Sequence, residues 1–293
     1  MHNYLKMNTA LQLHNAARKY CIDRQSYLYQ RYQKLQEECK ARTGFRYRPR
    51  SSILTGILNE IERLDADQLP EYSDLSELLL IAGEIAEIPL TESPLLIIVN
   101  RISVTPLTKS PISEIDAAAI QDERDRFVKA VRSFTPASIA NVPLLPYQRV
   151  LEAAEVASLW KRVEAQWGAN GSYFYPLAKL TDSSLRAFEQ SAFDEAFPAE
   201  RLESILSSWG IERVYELREY GDENFLMSID YWEPCYNGAE GFWFSDALNW
   251  IMYASHEQSI TTGGILTDAI LSEWRDAEQH LYQYCFCRNR SLQ

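Results

Sequence analysis

His256 and Glu257 stand side by side and are the first candidates for proton transfer in this chain. An imidazole titrates near neutral pH, and an adjacent carboxylate can orient it or raise its basicity. The pair therefore fits a hydrolase or transferase, with Asp230 or Cys235 brought near by folding. The residues that follow, Gln258, Ser259 and Ile260, do not complete the helical His-Glu-x-x-His zinc signature. The four histidines (His2, His14, His256, His280) are dispersed, and no Cys-x-x-Cys pair occurs among Cys21, Cys39, Cys235, Cys285 and Cys287. Neither a metal nor a cofactor is expected. Gly-x-Ser-x-Gly, the signature of an activated serine, is absent. The bland alternative for His256 is an imidazole that ends a strand and hydrogen-bonds locally.

Three other stretches have chemistry to offer. Thr261-Thr262-Gly263-Gly264 precedes a predicted helix, where backbone N–H groups can cradle an anion. It lacks the lysine and the glycine spacing of a phosphate loop, and a tight strand-to-helix turn explains it as well. Residues 230–246 mix acids with aromatics. Tyr231, Trp232, Glu233, Tyr236, Glu240 and Trp243 would form a protein-binding surface if one sheet face is open, or part of a two-sided core if it is not. In a strand, Phe242 and Phe244 face one side and Trp243 the other. Residues 18–50 hold 10 basic and 3 acidic residues, interleaved with Tyr20, Tyr27, Tyr29, Tyr32, Phe45 and Tyr47. That pattern suits a nucleic-acid-associated factor. Residues 51–92, with 1 basic and 10 acidic residues, offer an intramolecular partner instead.

The elements that must position these residues divide the chain of 293 residues in two. All seven tryptophans lie after residue 149, as do eight of the eleven glycines, whereas nine of the twelve prolines lie before it. Residues 1–148 are neutral, with 18 basic and 18 acidic residues, and the net charge of −12 resides in 149–293. An acidic half repels phosphate backbones and attracts basic proteins. The pattern predicts an α+β protein: a helical domain over 1–132, a linker over 133–146, and over 147–293 an α+β domain with an antiparallel sheet of about four strands packed with helices.

In the first half, Leu13, Ala17 and Tyr20, then Leu28, Tyr32, Leu35 and Cys39, mark a long helix whose stripe shifts near Arg24, as at a bend or a change of partner. Ser51 or Ser52 can cap a second helix presenting Ile53, Leu54, Ile57, Leu58, Ile61 and Leu64. Ser73 can cap a third through Ala86, and residues 95–104 read as strand or helix. Ser113 with Asp116 resembles a capping box opening a helix to about Arg132. In the second half, helices are expected over 147–167, 183–197 and 199–209. Period-two alternation follows at Tyr215–Arg218 and Phe225–Trp232, joined by a turn at Gly221–Asn224. A last helix should carry Ile270, Trp274, Ala277, Leu281 and Tyr284. The longest apolar run, Leu95–Val99, is far too short to span a bilayer. With no signal-peptide pattern at the start and an odd number of scattered cysteines, a reducing cytoplasm is the expected compartment.

The stretch from Gly241 to Gly264 (GFWFSDALNWIMYASHEQSITTGG) resembles the C-terminal strand pair of uncharacterised bacterial proteins, some of them similar to immunity proteins of toxin competition systems. The resemblance implies a non-catalytic binding protein that neutralises a basic toxin domain. It carries no catalytic motif, and it covers residues 241–264 alone.

Overall fold

The computed structural model describes residues 9–38, 45–68, 113–169, 185–219 and 223–282. The helix expected after Ser73, the stretch 95–104, Gly221 and Asp222 of the expected hairpin turn, Tyr284, and Cys39, Cys285 and Cys287 lie outside them. The chain forms two compact units, 1–145 and 146–293.

In the first unit α1 (Thr9–Glu37) runs without a break past Arg24. The shift of its stripe is therefore a change of partner rather than a bend. Leu13 and Ala16 pack with Ile139, while Ala17, Cys21 and Leu28 pack with Ile53, Leu54 and Ile57 of α2 (Tyr47–Glu62) and with Phe127 and Val131 of α3 (Glu114–Ser133). Helix α2 starts ahead of the expected serine caps. Pro49 falls in its first turn, where a missing backbone N–H costs nothing, so the basic segment 47–50 is helical rather than loop. At α3 the expected cap forms: the Asp116 amide donates to Ser113 Oγ at 3.2 Å. Of the expected linker 133–146, residues 133–145 belong to this unit. They contain the short helix α4 (Pro136–Ile139), Ile139 is 1% exposed, and the Asn15 side chain donates to Pro143 O at 2.8 Å and accepts from the Leu145 amide at 2.8 Å.

The second unit is a seven-stranded antiparallel sheet in the order β1-β4-β3-β5-β6-β7-β2. The strands are β1 (Gln148–Val150), β2 (Leu185–Glu189), β3 (Arg213–Arg218), β4 (Phe225–Ser228), β5 (Gly241–Phe244), β6 (Trp250–Ser255) and β7 (Ser259–Gly264). Two of them, β1 and β2, fall where helix was expected. Helix α5 (Ala153–Trp167) begins only after β1, with the Glu152 amide held by Glu155 Oε2 at 2.9 Å. Leu185–Glu189 has no helix-breaking residue, but full pairing with β7 overrides its propensity.

Helices cover both faces of this sheet. On one face α6 (Gln190–Ala196), α7 (Ala199–Ser208) and α8 (Ile265–Glu273) pack on Trp243, Trp250, Met252 and Ile260. On the other, α5 packs on Phe242, Phe244, Ile251 and Tyr253. The final helix is shorter than expected and breaks at Trp274 before a 3-10 turn at Ala277–His280. Among the described residues, no helix is long and apolar enough to cross a membrane.

Candidate functional site

The residues that could do chemistry in the second unit collect at one end of the sheet, where β3 and β6 finish and β5 and β7 begin. The ladders fix this gathering. Arg218 pairs with Gly241, and Gly241 with Ala254, so Glu219, Glu240 and Ser255 follow one another across three strands. The Glu219 amide donates to Glu240 O at 3.1 Å.

A buried ion pair anchors this end. Arg218 is 3% exposed at its side chain and donates from Nε to Glu216 Oε1 at 2.8 Å. Glu216 Oε2 accepts from Trp243 Nε1 at 2.8 Å, so both carboxylate oxygens are occupied. The Arg218 guanidinium lies 5.0 Å from the Trp243 ring centroid, and its Nη1 donates to the carbonyls of Cys235 (3.3 Å) and Ala239 (3.2 Å). One arginine thus ties the 232–240 loop to the sheet. Gly241 makes room for it: a Cβ there would meet Arg218 Nη1 at 2.6 Å and the Trp243 ring at 2.4 Å.

Outside this anchor the carboxylates crowd. Burial, then the neighbouring charge of Glu240, push the Glu219 carboxyl above the ordinary range. Glu240 is itself buried, which works to raise it. Its contact with His256 outweighs that burial and holds it below the ordinary value. His256 Nδ1 meets Glu240 Oε1, and the His256 amide reaches the same oxygen at 3.5 Å. That contact raises the His256 pKa, although the ring is 63% exposed. Tyr253 is pushed up as well, by burial first and then by Glu240, Glu219 and Glu257, against a lowering hydrogen bond with Ser255. The Tyr236 ring stands 6.1 Å from that of His256.

These positions rearrange the expected site. The carboxylate on His256 comes from Glu240, not from its neighbour Glu257. Asp230 is an exposed residue of a 3-10 turn, whose charge acts on Glu203. Cys235 is a half-buried thiol raised by burial, the reverse of an activated nucleophile. His14 lies in the first unit, and His280 stacks on Trp274 at 5.0 Å. Among the described residues, no three His, Cys, Asp or Glu side chains group as metal ligands.

The aromatic surface is corrected more sharply. Trp232 is 1% and Trp243 0% exposed, because helices close the face on which an open sheet would have displayed them. Exposing either to meet a partner would forfeit on the order of 2–3 kcal/mol before any new contact formed. Tyr231 is half-buried against the same core, and Glu233 and Tyr236 remain on the surface. The Thr261–Gly264 anion cradle is also replaced. Its residues belong to β7, and Gly264 takes φ +64° where a Cβ would strike Asn249 O at 2.1 Å. The Asn249 carbonyl accepts the Ile265 amide at 3.1 Å, so a protein group holds the N–H at this junction.

The chain matches no family model, no curated protein and no solved structure.

Glu216, Arg218 and Glu219 were missed at the level of sequence. Glu216 and Arg218 alternate with Tyr215 and Leu217, which reads as a solvent face. The one available signal was their i, i+2 spacing, which puts opposite charges on the same side of a strand.

Proposed function

We propose that the sheet unit is a non-catalytic docking module for a basic protein, and that the Glu219, Glu240, Glu257 end of the sheet is where the partner is met. One observation carries this reading. Glu219 and Glu240 stand at neighbouring positions across the strands, burial first and the Glu240 charge second raise Glu219, and among the described residues the ion-pair partner of these carboxylates is a single exposed histidine. Self-repelling charge of this kind costs the free protein stability, and a cationic partner relieves it. The net charge of −12 in the same half of the chain would speed the encounter. Exposed Glu233 and Tyr236 extend the surface along the loop that Arg218 ties down. The resemblance of residues 241–264 to immunity-type proteins favours a toxin domain as the partner and the cytoplasm as the compartment.

The full chain serves as bait in a pull-down from its host, beside a Glu233→Lys/Glu257→Lys double variant whose fold is checked by circular dichroism. A basic protein should be retained at about 50 mM salt and released at about 500 mM, as screening requires. The charge-reversed variant should lose it, and co-expression should relieve that protein's toxicity only with the wild type. An empty low-salt pull-down, or the same protein held equally by the variant, overturns the proposal.

A further inference from the structure

The helical unit contains a cavity of about 270 Å³ between α1, the start of α2 and α3, and guanidinium groups dominate its wall. Arg24 and Arg31 come from α1, seven residues apart and so on one helix face. Arg50 comes from the first turn of α2 and Arg126 from α3. The carboxylates of Asp122 and Glu123 oppose them, and Phe45 and Leu35 supply the apolar part of the wall.

The charges are arranged unequally. Glu123, fully buried, takes two hydrogen bonds from Arg24, at 2.7 and 2.8 Å, and one from Arg50. Asp122 accepts from Arg50 at 2.5 Å and from Arg126 at 3.2 Å. Three permanent cations, Arg24, Arg50 and Arg126, therefore share two carboxylates. Arg31 has no carboxylate partner among the described residues; its guanidinium lies 4.8 Å from the centroid of the Phe45 ring. The Nε of Arg50 is buried and has no hydrogen-bond partner among them. Three arginines are fixed in place by the acids, and the fourth, Arg31, meets only the Phe45 ring among the described residues.

We propose that this cavity binds a phosphate dianion carried on a small molecule, with Arg31 as its principal ligand and Arg24, Arg50 and Arg126 providing a preorganised cationic wall. Guanidinium groups donate in pairs to phosphate oxygens and remain charged at any physiological pH. The volume lies at the lower limit of ordinary ligand pockets, which favours a compact phosphomonoester over a larger ligand. It also argues against nucleic acid, the use first suggested by the basic and aromatic residues of 18–50. A strand needs a track of free cations for successive phosphates. Here Arg18 is paired with Glu62, Lys19 with Asp23, Arg24 with Glu123, Arg46 with Asp116, and Arg50 with Asp122 and Glu123. Among the described residues, Glu62 of the 51–92 segment pairs with Arg18, and α3 supplies the partners of Arg24, Arg46 and Arg50; the acids of 69–92 lie outside the described residues.

The test is calorimetric titration of the full chain with inorganic phosphate and with phenyl phosphate, in chloride buffers of constant ionic strength. One saturable site is expected, and phenyl phosphate should bind more tightly if Phe45 and Leu35 contact the organic group. Because Arg31 is exposed, Arg31→Ala should keep its circular dichroism and melting temperature while weakening phosphate at least about tenfold. No saturation of either probe below about 10 mM would overturn the proposal. So would equal binding by Arg31→Ala, or a single-stranded oligonucleotide that binds more tightly than either probe with a steep salt dependence.

Discussion

Each unit buries an arginine–glutamate pair, and the two pairs are finished differently. In the sheet unit Glu216 gives one oxygen to Arg218 and the other to the Trp243 indole, and Arg218 spends further donors on two backbone carbonyls. In the helical unit Arg18 donates from Nε to Glu62 Oε1 at 2.9 Å, and Glu62 Oε2 is buried with no hydrogen-bond partner among the described residues. Desolvation wins there and pushes Glu62 up to about 7, even with Arg18 against it. His14 beside it is pushed down to about 4, by burial first and then by Arg18, while its Nε2–H donates to Ile61 O at 3.0 Å. The difference lies in the carboxylate oxygens: both have a donor in Glu216, whereas one buried oxygen of Glu62 has none among the described residues.

The first way to break this contrast is Glu216→Ala, which strands Arg218 in the core. Removing one partner of a buried pair costs about 3–5 kcal/mol. Urea unfolding followed by tryptophan fluorescence isolates the effect, since all seven tryptophans are in the second half of the chain. A loss below about 1 kcal/mol would mean that Glu216 is not what keeps Arg218 buried.

Glu62 should give the next largest effect, on the order of 2 kcal/mol. Its folded pKa is above its unfolded one, so its contribution is complete below about pH 4.5 and is lost as the pH rises through about 7. His14 has the opposite slope: its folded pKa is depressed, so stability is lost as the pH falls from about 6.5 through about 4. The two cancel in part across the interval they share. Glu62→Gln should leave only the His14 trend, with amide exchange in α1 and α2 slowing as stability climbs from pH 4 to 6.5, after correction for intrinsic exchange. Unchanged pH dependence in the variant would show that Glu62 does not titrate in this range.

At this end of the sheet, Glu219→Gln removes a carboxylate whose folded pKa is raised by burial and then by Glu240, so the variant should be more stable at pH 7 by roughly 0.5 kcal/mol. The gain should vanish on acidification, as the wild-type group takes up its proton. His256→Ala has the smallest expected effect, about 0.3 kcal/mol, because solvent screens so exposed a ring. The raised pKa of His256 means that this contribution is present below about pH 6.5 and disappears above the folded value. Thermal melts at pH 5.5 and 8.5 check both variants.

Much of this architecture is legible in the residues, and the illegible parts have definite causes. Alternation placed Phe242 and Phe244 opposite Trp243, and the Ser113 cap opened its helix where Asp116 required. Strand β2 escaped notice because its case rests on a partner seventy or more residues away in β7 rather than on its own composition. Glu216 and Arg218 looked solvent-facing because alternation reveals that a strand has two sides, not how many of them are covered. His256 was visible as a titratable group, but its partner Glu240 sits sixteen residues upstream. Only the β5–β6 register brings them together, and register is a property of the paired sheet.

Strand β1, three residues long, lies beside β4 and forms one border of the sheet. It acts as a sealing strip. A recombinant fragment cut after Val150 would leave the β4 backbone with unmet donors and acceptors facing water, an invitation to self-association. On a sizing column such a fragment should elute as oligomers, whereas one starting at Pro146 keeps its guard.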